Sequence, residues 1–135
     1  VIGLVVATHG PLGGALLATV ELILGAQPHA LAVSLARSDS PEELRARLQQ
    51  AILEAGAGCE AVLLATDMFG GTPSNIGMTL LEPGRVELLT GVNLPMLLKF
   101  FNYRHQHSLA DLAVLLREHV RDGILIGGGL LSRQP

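Results

Sequence analysis

Four times along this chain a short apolar run ends in a polar turn and gives way to a stretch whose apolar residues recur at helical spacing. Val1 to Ala7 is the first run, closed by Thr8-His9-Gly10; from Pro11, a favourable first helical residue, Leu12, Leu16, Val20 and Ile23 share one helical face as far as Gly25. Ala30 to Ala36 is the second, and Ser40-Pro41-Glu42-Glu43 reads as a capping box opening a helix that carries Leu44, Leu48 and Ile52. Ala61 to Thr66 is the third, followed by the densest polar and glycine cluster of the chain, Asp67 to Asn75, and a helix from about Pro73 to Leu81. Pro83-Gly84 turns into the fourth run, Val86 to Leu89, after which Thr90-Gly91-Val92-Asn93 leads through Pro95 into a helix ending near Tyr103. Ser108 and Asp111 cap a last helix with Leu112, Leu115 and Leu116, stopping near Gly123, and the tail Ile124 to Leu131 is expected as a fifth strand.

Strands alternating with helices imply a parallel sheet covered on both faces, so the expected fold class is α/β, open and doubly wound, with the four runs as its parallel strands. With 135 residues, the chain has room for one such domain, spanning 1–135. A formal charge of −3, with no basic run, argues against nucleic acid as a partner. Apolar runs are broken by Gly, Pro, His or charge before the roughly 18 residues that a membrane span needs. Cys59 stands alone and cannot form an internal disulfide, and the start has no charged n-region or signal cleavage site; a reducing cytoplasm is the expected setting.

In open parallel sheets, ligands and catalytic groups gather beyond the carboxyl ends of the strands, near the point where strand order reverses. Three polar loops belong to that edge: Thr8 to Gly10, Asp67 to Asn75, and Thr90 to Asn93. His9 is therefore the first candidate, because its imidazole falls at the functional edge and not in the core. His29, His105, His107 and His119 sit in connections or near a helix end and read as solvent-exposed. Asp67 occupies the matching place after the third strand; if the two strands are neighbours, its carboxylate can hold one ring nitrogen of His9 and leave the other as a nucleophile. The alternative is that Asp67 only caps the loop that follows it.

Gly70, Gly71 and Thr72 supply what an anion needs: backbone free to come close, a hydroxyl at the expected N-cap, and the free N–H groups of a helix start. A phosphate or sulfate fits there. Neither GxxxxGK[ST] nor GxGxxG occurs, so a nucleotide triphosphate or dinucleotide site has no support. No third ligand accompanies His9 and Asp67 at metal-binding spacing, and no metal or cofactor is expected. Cys59 precedes a strand, far from that edge, and reads as an incidental thiol.

Three motifs in order, Ala7-Thr8-His9-Gly10, Thr66-Asp67-Met68-Phe69-Gly70-Gly71-Thr72-Pro73-Ser74-Asn75 and Thr90-Gly91-Val92-Asn93-Leu94-Pro95-Met96, resemble the IIA domain of the mannose family of the bacterial phosphoenolpyruvate-dependent sugar phosphotransferase system (PTS). The resemblance runs from Val1 to about Leu125. It implies a phosphotransferase whose histidine, here His9, takes a phosphoryl group from the phosphocarrier protein HPr and hands it to a IIB component for carbohydrate uptake. The family aspartate, here Asp67, pairs with the Nδ1 side so that Nε2 is phosphorylated. Thr72 stands where the family often has Ser, and Phe69 where it often has Trp. Members are homodimers that exchange a C-terminal strand, which implies such a role for Ile124 to Leu130.

HPr has to approach closely, so the surface around His9 is expected to be apolar, with Phe69, Leu12 and Met96 as partner contacts. Within the 135 residues no IIB domain follows, and membrane IIC and IID components are further expected associates. Two other readings stay open: a stand-alone regulatory module whose His9 phosphorylation controls binding to a target protein, and a small α/β phosphatase or ligand-binding domain that uses the glycine loop without becoming phosphorylated.

Overall fold

Ile2 to Thr8 of the first strand, β1 (Ile2–His9), are buried without interruption, and only His9 at its end emerges. In the computed structural model, which describes residues 1–132, β1 is followed by α1 (Leu12–Leu24), β2 (Ala30–Leu35), α2 (Pro41–Ala55), β3 (Ala61–Thr66), α3 (Thr72–Met78), β4 (Val86–Thr90), α4 (Leu94–Tyr103), α5 (Leu109–Asp122) and α6 (Gly127–Ser132). Residues 133–135, the end of the expected 1–135 domain, lie outside the described residues.

The sheet order is β2-β1-β3-β4 and every pairing is parallel. β1 and β3 are the central pair, which is why both read as unbroken apolar runs. Alternate residues of each strand face opposite layers. Leu4, Val6 and Leu63 pack with Val20 of α1, Leu97 and Phe100 of α4, and Leu112 and Leu116 of α5. Val5, Ala7, Val62 and Leu64 pack with Leu44 and Leu48 of α2, and Ile76 of α3 leans on that layer. Truncating fully buried Leu64 to Ala is expected to cost about 2–5 kcal/mol, as large-to-small core changes do. Gly3 is required by the same packing, since a Cβ there would stand 2.5 Å from the Ala55 carbonyl oxygen at the end of α2.

Caps set most helix starts. Ser40 accepts the Glu43 N–H at 3.1 Å, Asn93 the Met96 N–H at 2.9 Å and Ser108 the Asp111 N–H at 3.2 Å. At α1, Pro11 is the N-cap and not the first helical residue, and the Thr8 hydroxyl takes its place as acceptor for the Gly13 N–H at 2.8 Å. Arg104, 2% exposed at the end of α4, donates to the Pro28 carbonyl at 2.8 Å and stacks 5.0 Å from the Phe101 ring, tying α4 to the turn before β2.

Two further expectations need correction. The helix after the third strand ends at Met78, short of Leu81. The tail is not a fifth strand in this single chain: Ile124 to Ile126 are irregular, and Gly127–Ser132 forms the short exposed helix α6, with Leu130 N–H bonded to the Ile126 carbonyl at 3.2 Å. A strand needs a neighbouring edge for its backbone groups, whereas a helical turn satisfies them locally. Within the described residues the tail pairs with neither β2 nor β4.

Candidate functional site

Strand order reverses between β1 and β3: the chain leaves β1 toward β2 on one side and returns to β3 on the other. Ala7 is level with Thr66, so the residues just beyond that register, His9 and Asp67, project over the same end of the sheet. Their pairing is direct. One carboxylate oxygen of Asp67, Oδ2, accepts the His9 backbone N–H at 3.0 Å and lies 2.8 Å from His9 Nδ1.

A carboxylate only accepts, so this contact assigns the ring proton to Nδ1 and leaves the lone pair on Nε2. Asp67 is well covered, at 13% side-chain exposure, while the His9 ring is 47% exposed. Burial pushes the Asp67 carboxyl up, but the hydrogen bonds from the His9 backbone and ring, with electrostatic attraction to His9, outweigh it; its pKa lies below the ordinary 3.8. Asp67 is therefore a carboxylate at neutral pH.

The loop from β3 to α3 closes over the other side of the ring. Gly70 has φ +85°, a left-handed conformation that a side chain would strain. Gly71 is required for space: a Cβ there would sit 2.9 Å from His9 Cε1 and 3.5 Å from Nε2. Gly71, not Thr72, is the N-cap of α3, so no side chain caps this helix. Thr72 is the first helical residue, is exposed, and lines a cleft of about 570 Å³ together with His9, Leu35, Arg37, Asp39 and Pro41.

The sequence-based candidates divide clearly. His9, Asp67, Gly71 and Thr72 come together, and Gly70 shapes their loop. Phe69, 77% exposed, and Leu12, 45% exposed, offer apolar surface near that edge. Met96 does not: it lies in α4 and is 1% exposed, because the helical face it shares with Leu97 and Phe100 is the one that packs on the sheet. The third loop, Thr90 to Asn93, is bolted to β3 through the Val92 N–H and the Thr66 carbonyl at 2.9 Å, and places no reactive side chain beside His9.

Sequence reasoning missed the loop after β2. It is also the carboxyl end of a parallel strand, so the rule that selected the other loops selects it as well. Its turn is braced by Asp39, whose Oδ2 accepts the Ala36 N–H at 2.8 Å and pairs with Arg47 at 3.1 Å, and by a second Arg47 bond to the Ser34 carbonyl at 2.8 Å. Arg37 rides on that turn and lines the cleft. By pattern Ser74 is one more polar residue of the cluster, yet it is 1% exposed.

Comparison with known proteins gives one consistent answer. The EIIA-man family, described as PTS system fructose IIA component, matches residues 3–115. The chain is 31% identical over 112 residues to the PTS system fructose-specific EIIA component of Bacillus subtilis (strain 168), covering 82% of this chain and 76% of that protein. It is also 31% identical over 127 residues to the PTS system mannose-specific EIIAB component of Escherichia coli (strain K12), covering 91% of this chain and 38% of that longer protein. The crystal structure of phosphotransferase system component EIIA from Streptococcus agalactiae superposes with a TM-score of 0.86 at 25% identity, covering 96% of this chain and 99% of that one.

Proposed function

The chain belongs to the EIIA-man family of sugar phosphotransferase system IIA components, and from that premise we propose that it is a phosphoryl carrier that accepts a phosphoryl group from HPr on His9 Nε2 and passes it to a IIB component. One observation carries this reading: Nδ1 of His9 is held at 2.8 Å by a carboxylate, while the ring stands 47% exposed at the switch point of the sheet. A nucleophilic nitrogen that must meet another protein's active site needs both properties.

In the forward step the Nε2 lone pair attacks the phosphorus of phosphohistidine on HPr in line. A new N–P bond forms at His9 as the N–P bond on HPr breaks, and the electron pair of the broken bond returns to the HPr imidazole. His9 keeps its Nδ1 proton on Asp67, whose charge offsets the positive charge that the ring acquires. Thr72, which lines the cleft with His9, and the Gly70–Gly71 backbone serve the phosphoryl oxygens. Transfer to IIB repeats the exchange with the roles of donor and acceptor reversed, and because each exchange is between histidines, little driving force is needed.

Phe69 and Leu12 belong to the surface that HPr covers. In a homodimer, the uncovered apolar tail from Ile124 to Leu131 is the segment with most to gain from a partner. Cytoplasmic residence, with association to IIC and IID components at the membrane, follows from the same role; among the described residues no helix is long and apolar enough to cross a membrane itself.

The test is incubation with phosphoenolpyruvate, enzyme I and HPr, followed by intact mass of the wild type and of His9→Ala. A gain of one phosphoryl mass in the wild type alone supports the reading, and subsequent loss of that mass to a purified IIB component separates a carrier from a regulatory module. Label on His9→Ala overturns the assignment.

A further inference from the structure

The Gly70–Gly71 segment is the most freely rotating pair of residues at the site, yet Gly71 lies so near the imidazole that a Cβ there would stand 2.9 Å from His9 Cε1. Something must hold it there. Ser74, in the first turn of α3 and 1% exposed, is bonded to both residues: its hydroxyl accepts the Gly70 N–H at 3.1 Å and donates to the Gly71 carbonyl at 3.1 Å. From the exposed side, Asn75 Nδ2 donates to the Gly70 carbonyl at 3.2 Å.

Helix capping does not account for this arrangement. The N-cap, Gly71, has no side chain to act forward on the first turn, and a capping-box residue at N3 reaches back only to the N-cap N–H, whereas Ser74 at N3 bonds the N–H one residue earlier. Ser74 reaches backward, past the N-cap to Gly70. A buried hydroxyl has to find partners, and of the groups near it this one is committed to the two peptides that define the wall beside His9.

We propose that Ser74 is a positioning residue for the reaction at His9: it clamps the Gly70–Gly71 segment against the Cε1 edge of the imidazole. Asp67 then bounds the ring at Nδ1 and Gly71 bounds it at Cε1, and Nε2 is left facing the cleft shared with Thr72. The Asp67 bond alone fixes the tautomer but permits the ring to swing about that one contact; the clamp removes the swing. The proposal rests on the reading that His9 Nε2 is the phosphoryl acceptor.

Ser74→Ala removes both bonds without adding bulk. Two measurements on the folded variant decide the matter. The first is the ¹⁵N and ¹³C resonances of the His9 ring in the unphosphorylated protein, which need no phosphoryl donor. The second is the rate of labelling by phospho-HPr as a function of HPr concentration. The expected result is a shifted or broadened His9 ring signal and a limiting rate lowered about tenfold, as small displacements from attack geometry produce, with half-saturating HPr unchanged to within about twofold because the docking surface is intact.

Ring resonances identical to wild type and a limiting rate within about twofold of it overturn the proposal. Should Ser74→Ala fail to fold, Asn75→Ala loosens the same segment from its exposed side; a loss of about threefold with a perturbed ring signal supports the clamp, and wild-type behaviour in both measurements overturns it. If the wild type itself takes no label, the phosphoryl-carrier reading fails, and the ring resonances still decide whether Ser74 holds the imidazole.

Discussion

The loops that follow β3 and β4 begin alike and end differently. Each leaves a threonine, Thr66 or Thr90, at the same level of the sheet, and each enters a helix with Pro in its first turn. After β4 the N-cap is Asn93, whose side chain takes up the Met96 N–H; after β3 it is Gly71, and no side chain caps the helix. The β4 loop uses its polar atoms to hold itself together. The β3 loop gives up that stabilisation so that an imidazole fits beside it, and its order is supplied by Ser74 and Asn75. Two loops can thus share a sequence pattern and differ at the one position where a side chain would meet the His9 imidazole.

Substitutions in the two loops should separate activity from stability. The largest effect is expected for Asp67→Asn, which removes the carboxylate that fixes the His9 tautomer; labelling from phospho-HPr should fall by on the order of a hundredfold or more, measured as the initial rate by intact mass. Gly71→Ala comes next: its methyl would displace the ring, and labelling should slow by about tenfold to a hundredfold while thermal unfolding shows a folded protein. Asn93→Ala should do the reverse, costing about 1 kcal/mol in urea unfolding as a lost N-cap does, with labelling at the wild-type rate. A slow Asn93→Ala, or a Gly71→Ala that labels normally, would erase the distinction between the loops.

The smallest effect is a pH dependence. Asp67 titrates lower in the folded protein than in the unfolded chain, so its contribution to stability is present above 3.8 and is lost as pH falls below that value through the folded pKa. The stability difference between wild type and Asp67→Asn should therefore be larger near neutral pH than in acid, as denaturant titrations at about pH 6 and about pH 3 would show. A difference that grows on acidification contradicts the pairing.

Much of this arrangement is legible in the sequence because parallel strands buried on both faces leave unbroken apolar runs, and because the polar residues just past such runs have one place to go. His9 and Asp67 are found that way, as is the loop of Gly70 to Thr72. Other features are set by contacts that a linear pattern does not carry. Met96 stands in a motif beside the functional edge, and only the packing of α4 shows that its side chain points into the core. The tail from Ile124 to Leu131 has strand-like composition, but composition does not provide the neighbouring edge that a strand needs. Thr72 resembles an N-cap by residue type, and the backbone places the cap one residue earlier.

The two residues that meet over the sheet are 58 positions apart, and the strand that lies between them in sequence, β2, is outside them in space. A nascent chain that has made only the first βα units has its histidine but no carboxylate to orient it, and pairing of β1 with β2 does nothing to bring one closer. The His9–Asp67 pair thus forms only when β3 docks on the far side of β1, and a long-range contact of this kind is among the slower steps of folding. Misfolded or truncated chains short of β3 would carry His9 without the carboxylate beside it, so under the proposed role a chain that accepts a phosphoryl group is one whose central strands have found each other.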